Sequence, residues 1–308
     1  MCKKVCGTNP NKLRVVFAVI FILSWLLGCT PAKEYAVEST QTQPPALIDI
    51  EADETTSAEL APVETELIQH RACQEAGRFE RLSISSQLMD GELEFSIYFP
   101  PCYDAGAQDV YPLIYLLHGQ KQNDGLWERL GVGEAADALI QSGTVMPFLM
   151  VMPYEQYYYR PVDNNNFPRA LLDELLPWIE KNLPACEQRD CRAIGGISRG
   201  ASWAIRLALV EWEYFSAVGA HSLPTFNGDL ERLPDWLEEI PRDKVPNIYI
   251  DIGSSDPGVK KASNFEQILN EKGVPHEWHL NEGQHTEEYW RNQIAEYLRW
   301  YTLPWRLE

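Results

Sequence analysis

The chain reads as an α/β protein with a mainly parallel central sheet, helices on both faces and an antiparallel hairpin at the N-terminal side of the domain. Three observations predict this. Continuous apolar runs such as Leu113–Leu117 and Phe148–Met152 are what a strand buried on both faces requires. These runs alternate with stretches of helical spacing, and strand–helix alternation builds a parallel sheet covered on both sides. Ahead of them lies a hairpin pattern, Gly77–Ser86 and Glu92–Phe99, joined through Met89-Asp90-Gly91.

In chain order, Leu113–Leu117 is a central strand and Leu126–Ser142 a helix. After the strand Phe148–Met152, a helix opens at Asn166 or Phe167. It runs through Leu171, Leu175, Trp178 and Ile179 until Pro184 stops it. Arg192-Ala193-Ile194 ends a short strand, and Ala201, Ala204, Ile205 and Ala208 recur at helical spacing after it. Further strands are expected at Phe215–Ala220, Asn247–Ile252 and His276–Leu280, with helices at Ala262–Lys272 and Glu287–Tyr301. Between Ser222 and Pro246 a cap is expected, with Trp236 and Leu237 facing in. No internal repeat is present.

Composition narrows the partners. A net charge of -19 over 308 residues excludes nucleic acid, whose phosphates require Lys and Arg. The first 28 residues carry Lys3, Lys4, Lys12 and Arg14 before the apolar run Val15–Leu27, which is shorter than the roughly 20 residues of a membrane span. Leu26-Leu27-Gly28-Cys29 resembles a bacterial lipobox. That resemblance implies export, lipid on Cys29 as the new N-terminus, and anchorage to the cell envelope; an ordinary signal peptide or an N-terminal membrane anchor are the alternatives. Residues 29–71 are an acidic Thr/Pro-rich tether, too poor in large apolar residues to order itself. The folded domain is expected over 72–308.

Four of the seven cysteines remain once Cys2, Cys6 and Cys29 are set aside. An even number in an exported domain points to disulfides. The hairpin brings Cys73 near Cys102, and Cys186 and Cys191 close a short loop, so the expected pairs are Cys73–Cys102 and Cys186–Cys191. No metal or cofactor is expected. His276-Glu277-Trp278-His279 has the wrong spacing for a helical zinc pair, and in a strand its histidines point to opposite faces.

The organising stretch is Gly196-Ile197-Ser198-Arg199-Gly200, a G-x-S-x-G sequence between a strand and a helix. In such an elbow a serine is held at the apex of a sharp turn, and glycines beside it provide the room. Together with His118-Gly119 after an apolar strand, Gly253-Ser254-Ser255-Asp256 and Gly283-Gln284-His285, this order resembles the α/β-hydrolases. The spacing is similar to the esterase D group, which includes feruloyl esterases, S-formylglutathione hydrolases and mycolyl transferases. The resemblance spans about Gly77 to Tyr301.

It implies an α/β-hydrolase fold and a serine carboxylesterase acting on a small-molecule or carbohydrate ester. Ser198 would be the nucleophile, His285 the base and Asp256 the acid, in the chain order of that fold. Asp251 is the rival acid, but it lies within a strand. Backbone N–H groups of Gln120 and Arg199 are the expected oxyanion donors, and the Arg199 side chain is a candidate for an acidic substrate. His118, Tyr154, Tyr158, His221 and Trp236 are the candidate substrate contacts. An acyltransferase using the same residues, or a non-catalytic surface binding protein, are the rival functions.

Overall fold

The computed structural model describes residues 75–106 and 110–307. The leader, Cys29, the tether and Cys73 lie outside the described residues.

Two strands open the domain, β1 (Arg78–Ser86) and β2 (Gly91–Phe99), paired antiparallel from Arg78↔Phe99 to Ser86↔Gly91. Their turn is 87–90, one residue earlier than expected. Ser86 fixes it: its Oγ accepts from the N–H of Leu88 at 3.2 Å and of Met89 at 2.8 Å, an alternative the backbone takes instead of continuing the ladder.

β3 (Leu113–Leu117) is followed by α1 (Leu126–Arg129), α2 (Val132–Gln141) and β4 (Leu149–Pro153). The one helix expected here is two, because Gly131 takes a left-handed φ of 88° between them. α3 (Phe167–Ala170) and α4 (Leu176–Asn182) flank a wide π-type turn over Leu171–Leu175. Pro177 has no N–H to offer the preceding turn, and the widening sits just before it.

Next come β5 (Arg192–Ile197), α5 (Arg199–Val210), β6 (Ala217–His221) and α6 (Asp229–Glu239). α6 was not expected, since Pro234 lies inside it. It occupies the stretch anticipated as a cap and packs against α5. The chain ends with β7 (Asn247–Gly253), α7 (Val259–Lys272), β8 (Glu277–Asn281) and α8 (Glu287–Tyr301).

The sheet order is β1-β2-β4-β3-β5-β6-β7-β8. β1, β2 and β4 are joined antiparallel, and every pair from β4 onward is parallel. Alternation along β3 shows how both faces are used. Leu113, Tyr115 and Leu117 enter one core with residues of α3 to α7, while Ile114 and Leu116 enter a second with α1, α2 and α8.

Register then sets the site. Leu117 pairs with Gly196, Ile197 with His221, His221 with Asp251 and Gly253 with Asn281. The carboxyl ends of β3 and β5 to β8 are therefore level, and the loops after them open along one edge, where ligands gather in such sheets.

Cys186 and Cys191 are joined, with Cα atoms 6.2 Å apart, in the link between α4 and β5. Cys73, the partner expected for Cys102, lies outside the described residues. Because the closed loop is short, replacing Cys186 and Cys191 by serine is expected to cost only about 2 kcal/mol. Denaturant midpoints at unchanged m-value would measure it. Arg189 limits the loss, since its Nε and Nη2 hold the same loop to the Trp212 and Lys244 carbonyls at 2.8 and 2.7 Å.

Candidate active site

Ser198 stands between β5 and α5 with φ 56° and ψ −118°, an unusual backbone for a residue with a Cβ. Two main-chain hydrogen bonds hold it. Its N–H donates to the His221 carbonyl at 2.8 Å, and its own carbonyl accepts the Ser202 N–H at 3.1 Å, starting α5. The turn also needs Gly196 and Gly200. A methyl on Gly196 would run into the Gly200 carbonyl, and one on Gly200 into that of Leu117. This strand–turn–helix closes too tightly for any other residue there.

His285 Nε2 lies 2.9 Å from Ser198 Oγ, and His285 Nδ1 lies 2.7 Å from Asp256 Oδ2. The two loops that bring acid and base together are stitched to each other: the N–H groups of Ser254 and Ser255 donate to Asn281 and Gly283 at 2.7 and 2.9 Å. Thr286 then caps α8 through its side chain, so His285 leaves the loop just before a fixed helix start.

The Asp256 carboxyl is 2% exposed. Burial pushes its pKa up, but hydrogen bonds outweigh this and leave it below the usual carboxylate value. His285 is one donor, the Gly258 N–H at 2.7 Å another, and the Ser222 hydroxyl also favours the charged form. Asp256 is thus held as a carboxylate facing an imidazole.

Asp251 is placed differently. Fully buried, its oxygens take His221 Nδ1 at 2.6 Å and the hydroxyls of Tyr289 and Tyr297, each at 2.7 Å. This carboxylate braces β6 and β7 against α8 and does not reach His285 Nδ1, whose acceptor is Asp256.

Of the two expected oxyanion donors, Arg199 directly follows the serine, and Gln120 follows a loop residue that comes close to it. Arg199 is the first residue of α5, where an N–H has no acceptor within its own helix, and the helix dipole is positive there. The loop before Gln120 approaches from β3: a methyl built on Gly119 would sit 3.5 Å from Ser198 Cβ. Gln122 pins this loop, its Oε1 accepting the Gly119 N–H at 3.1 Å and its Nε2 reaching Glu287 of α8 at 3.4 Å.

The Arg199 side chain does not project toward a substrate, as was considered. It forms a forked pair with Glu155, with Nε 2.8 Å from Oε2 and Nη2 2.6 Å from Oε1. Asn165 Nδ2 donates to the same carboxylate at 2.7 Å. Glu155 was missed from sequence because nothing adjacent marks it as paired.

Two candidate substrate contacts are corrected. His118 is 3% exposed, and its Nε2 accepts the Glu155 N–H at 2.9 Å, which leaves Nδ1 to donate to Gly119 O at 2.7 Å. With both nitrogens engaged inside the protein, it orders the loop of Gly119 and does not face a ligand. Burial, above all, depresses its pKa. His221 is fully buried, with Nε2 2.9 Å from the Tyr301 hydroxyl and its ring stacked on Tyr297 at 3.6 Å. It is a core residue.

A consequence for pH follows. His118 binds a proton more weakly folded than unfolded, so its contribution to stability is complete above the ordinary imidazole value of about 6.5 and is lost as pH falls below it. NMR titration of the imidazole carbons should show His118 remaining neutral through that value; titration at or above it would contradict the buried-neutral assignment.

Of the remaining candidates, Tyr154 is partly exposed with its ring 5.5 Å from that of His118. Tyr158 packs edge-on to Tyr159 at 5.9 Å, in the same loop. Trp236 lines a cavity of about 340 Å³ with Trp203, Arg206 and Pro168, and Ser198 is not among its walls. Leu237, its neighbour, is buried. Phe226, not foreseen, sits in the loop after β6 against Trp203 at 4.7 Å, with the Arg199 guanidinium 5.2 Å from its ring. Among the described residues, no group of three His, Cys, Asp or Glu side chains is placed to hold a metal ion.

Comparison with known proteins agrees with this architecture. A xylanase/feruloyl esterase of Xylanibacter ruminicola is 27% identical over 221 residues, covering 66% of this chain and 29% of that protein. An esterase of Mycobacterium tuberculosis is 25% identical over 243 residues, covering 62% and 52%. The chain therefore spans at most about half of these relatives. Among solved structures, a ferulic acid esterase superposes with a TM-score of 0.66 at 22% identity, covering 75% of this chain and 98% of that one. The S-formylglutathione hydrolase of Staphylococcus aureus gives 0.62 at 18% identity, covering 73% and 96%. These superpositions identify the α/β-hydrolase fold. Residues 86–301 match the Esterase family, described as "Putative esterase", and to that family the chain belongs.

Proposed function

We propose that the chain is an extracytoplasmic serine carboxylesterase that cleaves carboxylic esters through an acyl-enzyme on Ser198, with acylated or feruloylated sugars as its substrate class. The observation that carries this is the continuous relay from Ser198 Oγ through His285 to Asp256.

Ser198 Oγ attacks the ester carbonyl carbon while its proton passes to His285 Nε2. A hydroxyl is a poor nucleophile until a base takes that proton. Asp256, kept ionised, stabilises the imidazolium and fixes its tautomer. The carbonyl electron pair moves onto oxygen, where the N–H groups of Arg199 and Gln120 meet it; losing one such donor typically costs about 3 kcal/mol. Collapse breaks the bond to the alcohol, which leaves with the proton returned by His285. Water then repeats the sequence on the acyl-enzyme and frees the acid.

Likeness to the feruloyl esterase of Xylanibacter ruminicola and to the ferulic acid esterase structure supports the phenolic acyl group. So do the aromatic side chains in loops after β4 and β6, Tyr154 and Phe226. A fluorophosphonate probe should label Ser198, and a panel of feruloylated and acetylated sugars should reveal the preferred acyl group. A wild-type protein left unlabelled would refute the enzymatic reading.

The same proposal places the protein on the cell envelope through lipid at Cys29, on the strength of the basic start, short apolar run and lipobox-like sequence. Cys29→Ala is expected to move the protein from the detergent phase to the aqueous phase on partition. Retention in the detergent phase would overturn the lipid assignment.

A further inference from the structure

Beneath the relay lies a second tier that the proposed reaction does not use directly. Ser222 follows His221, the residue whose carbonyl holds the nucleophile's N–H. It is fully buried and has a left-handed φ of 52°, which a residue with a side chain adopts only when its surroundings compel it. Its own N–H donates to the Asp251 carbonyl at 2.8 Å. Its Oγ accepts the indole N–H of Trp290 at 2.9 Å. An indole N–H can only donate, so the Ser222 hydroxyl keeps its own proton to donate elsewhere. A methyl built on Gly258 would sit 3.1 Å from Asp256 Oδ1 and 3.6 Å from the carbonyl of Leu223, the residue after Ser222, so the two loops meet at this carboxylate, whose charged form the hydroxyl favours. Trp290 has a second contact: its ring stands edge-on to His285, with centroids 5.1 Å apart at 85°.

We propose that Ser222 and Trp290 are positioning residues for the relay. Trp290 orients the Ser222 hydroxyl as a fixed donor to Asp256, and its ring is a wall that keeps the His285 imidazole in the plane joining Asp256 to Ser198. This rests on the esterase reading of the same site. It explains why a serine, and not a glycine, occupies a left-handed position at the end of β6. It also gives α8 a part in catalysis, since the helix carries the tryptophan 5 residues after the base.

The test uses the full chain and the rate of fluorophosphonate labelling of Ser198 as a function of pH, which needs no knowledge of the natural substrate. Ser222→Ala removes the donor. Trp290→Phe keeps most of the wall and removes the N–H. Each is expected to slow labelling about tenfold, the scale of one hydrogen bond to a charged group. Each should also move the acid limb of the profile to higher pH. With one donor fewer, the Asp256 carboxylate keeps more of its charge for the imidazolium, which then holds its proton more strongly. The other charged groups nearby are unchanged in both variants: Glu287 with its partner Arg129, and Lys261, which donates to Thr225 O. The double variant should be little slower than either single one, because both act through one chain of bonds.

A merely structural role would lower the melting temperature and labelling at all pH values without moving the limb, and would make the two effects additive. That pattern overturns the proposal, as do two variants that label at the wild-type rate. A wild-type chain that is not labelled at all overturns the esterase reading and this one together, so the two failures are distinguishable.

Discussion

Ser198→Ala is expected to leave a folded protein and to lower kcat for ester hydrolysis by about 10⁴-fold or more, the loss seen when a nucleophile acting in a unit with its base is removed. Folding survives because the bonds that shape the elbow are main-chain bonds, from Ser198 N–H to His221 O and from Ser202 N–H to Ser198 O. Among the described residues, the side chain itself is hydrogen-bonded to His285 alone. Alanine meets the same φ of 56° that serine already tolerates. The measurement is kcat on a short-chain p-nitrophenyl ester beside a thermal melt. Hydrolysis at the wild-type rate from a folded variant would end the proposal.

The second large effect is expected from Asp256→Asn, also about 10⁴-fold in kcat. The geometry says why an isosteric change should be so costly. The Gly258 N–H lies 2.7 Å from Asp256 Oδ1 and requires an acceptor there, so the asparagine carbonyl turns toward it. Its NH₂ is left facing His285 Nδ1, where the carboxylate oxygen lies at 2.7 Å. Nδ1 must then accept, the ring proton moves to Nε2, and Nε2 can no longer take the proton from Ser198. KM should change little, since Asp256 touches no substrate in this scheme. A variant with near-normal kcat would return the role of acid to another carboxylate.

Much of the frame could be read from residue order. Double-sided strands such as Leu113–Leu117 announce themselves as unbroken apolar runs, and the elbow is marked by glycines that no other residue could replace. α6 was hidden because Pro234 interrupts a helix that tertiary packing nevertheless completes. The histidines show a different limit. Spacing puts His118, His221 and His285 all at strand ends or in loops at the same edge, but it does not show where their ring nitrogens find partners. His221 is satisfied by Asp251 and Tyr301, and His118 by Glu155 and Gly119, whereas His285 alone spans a serine and a carboxylate. The pairing of Arg199 with Glu155 was illegible for the same reason, since their 44-residue separation closes only in space. Ser222 and Trp290 carried one faint signal: each follows closely on a histidine at the sheet edge.

The level carboxyl ends of β3 and β5 to β8 have an evolutionary corollary. Everything that would touch a substrate hangs from segments outside the ladder, while the ladder itself is fixed by pairings such as Leu117↔Gly196 and Gly253↔Asn281. Lengthening a surface segment is cheap, since doubling it adds only about 0.6 kcal/mol of closure entropy. Selection can therefore rewrite 154–160 or 222–228 to suit a new acyl or alcohol group without renegotiating how the chain folds.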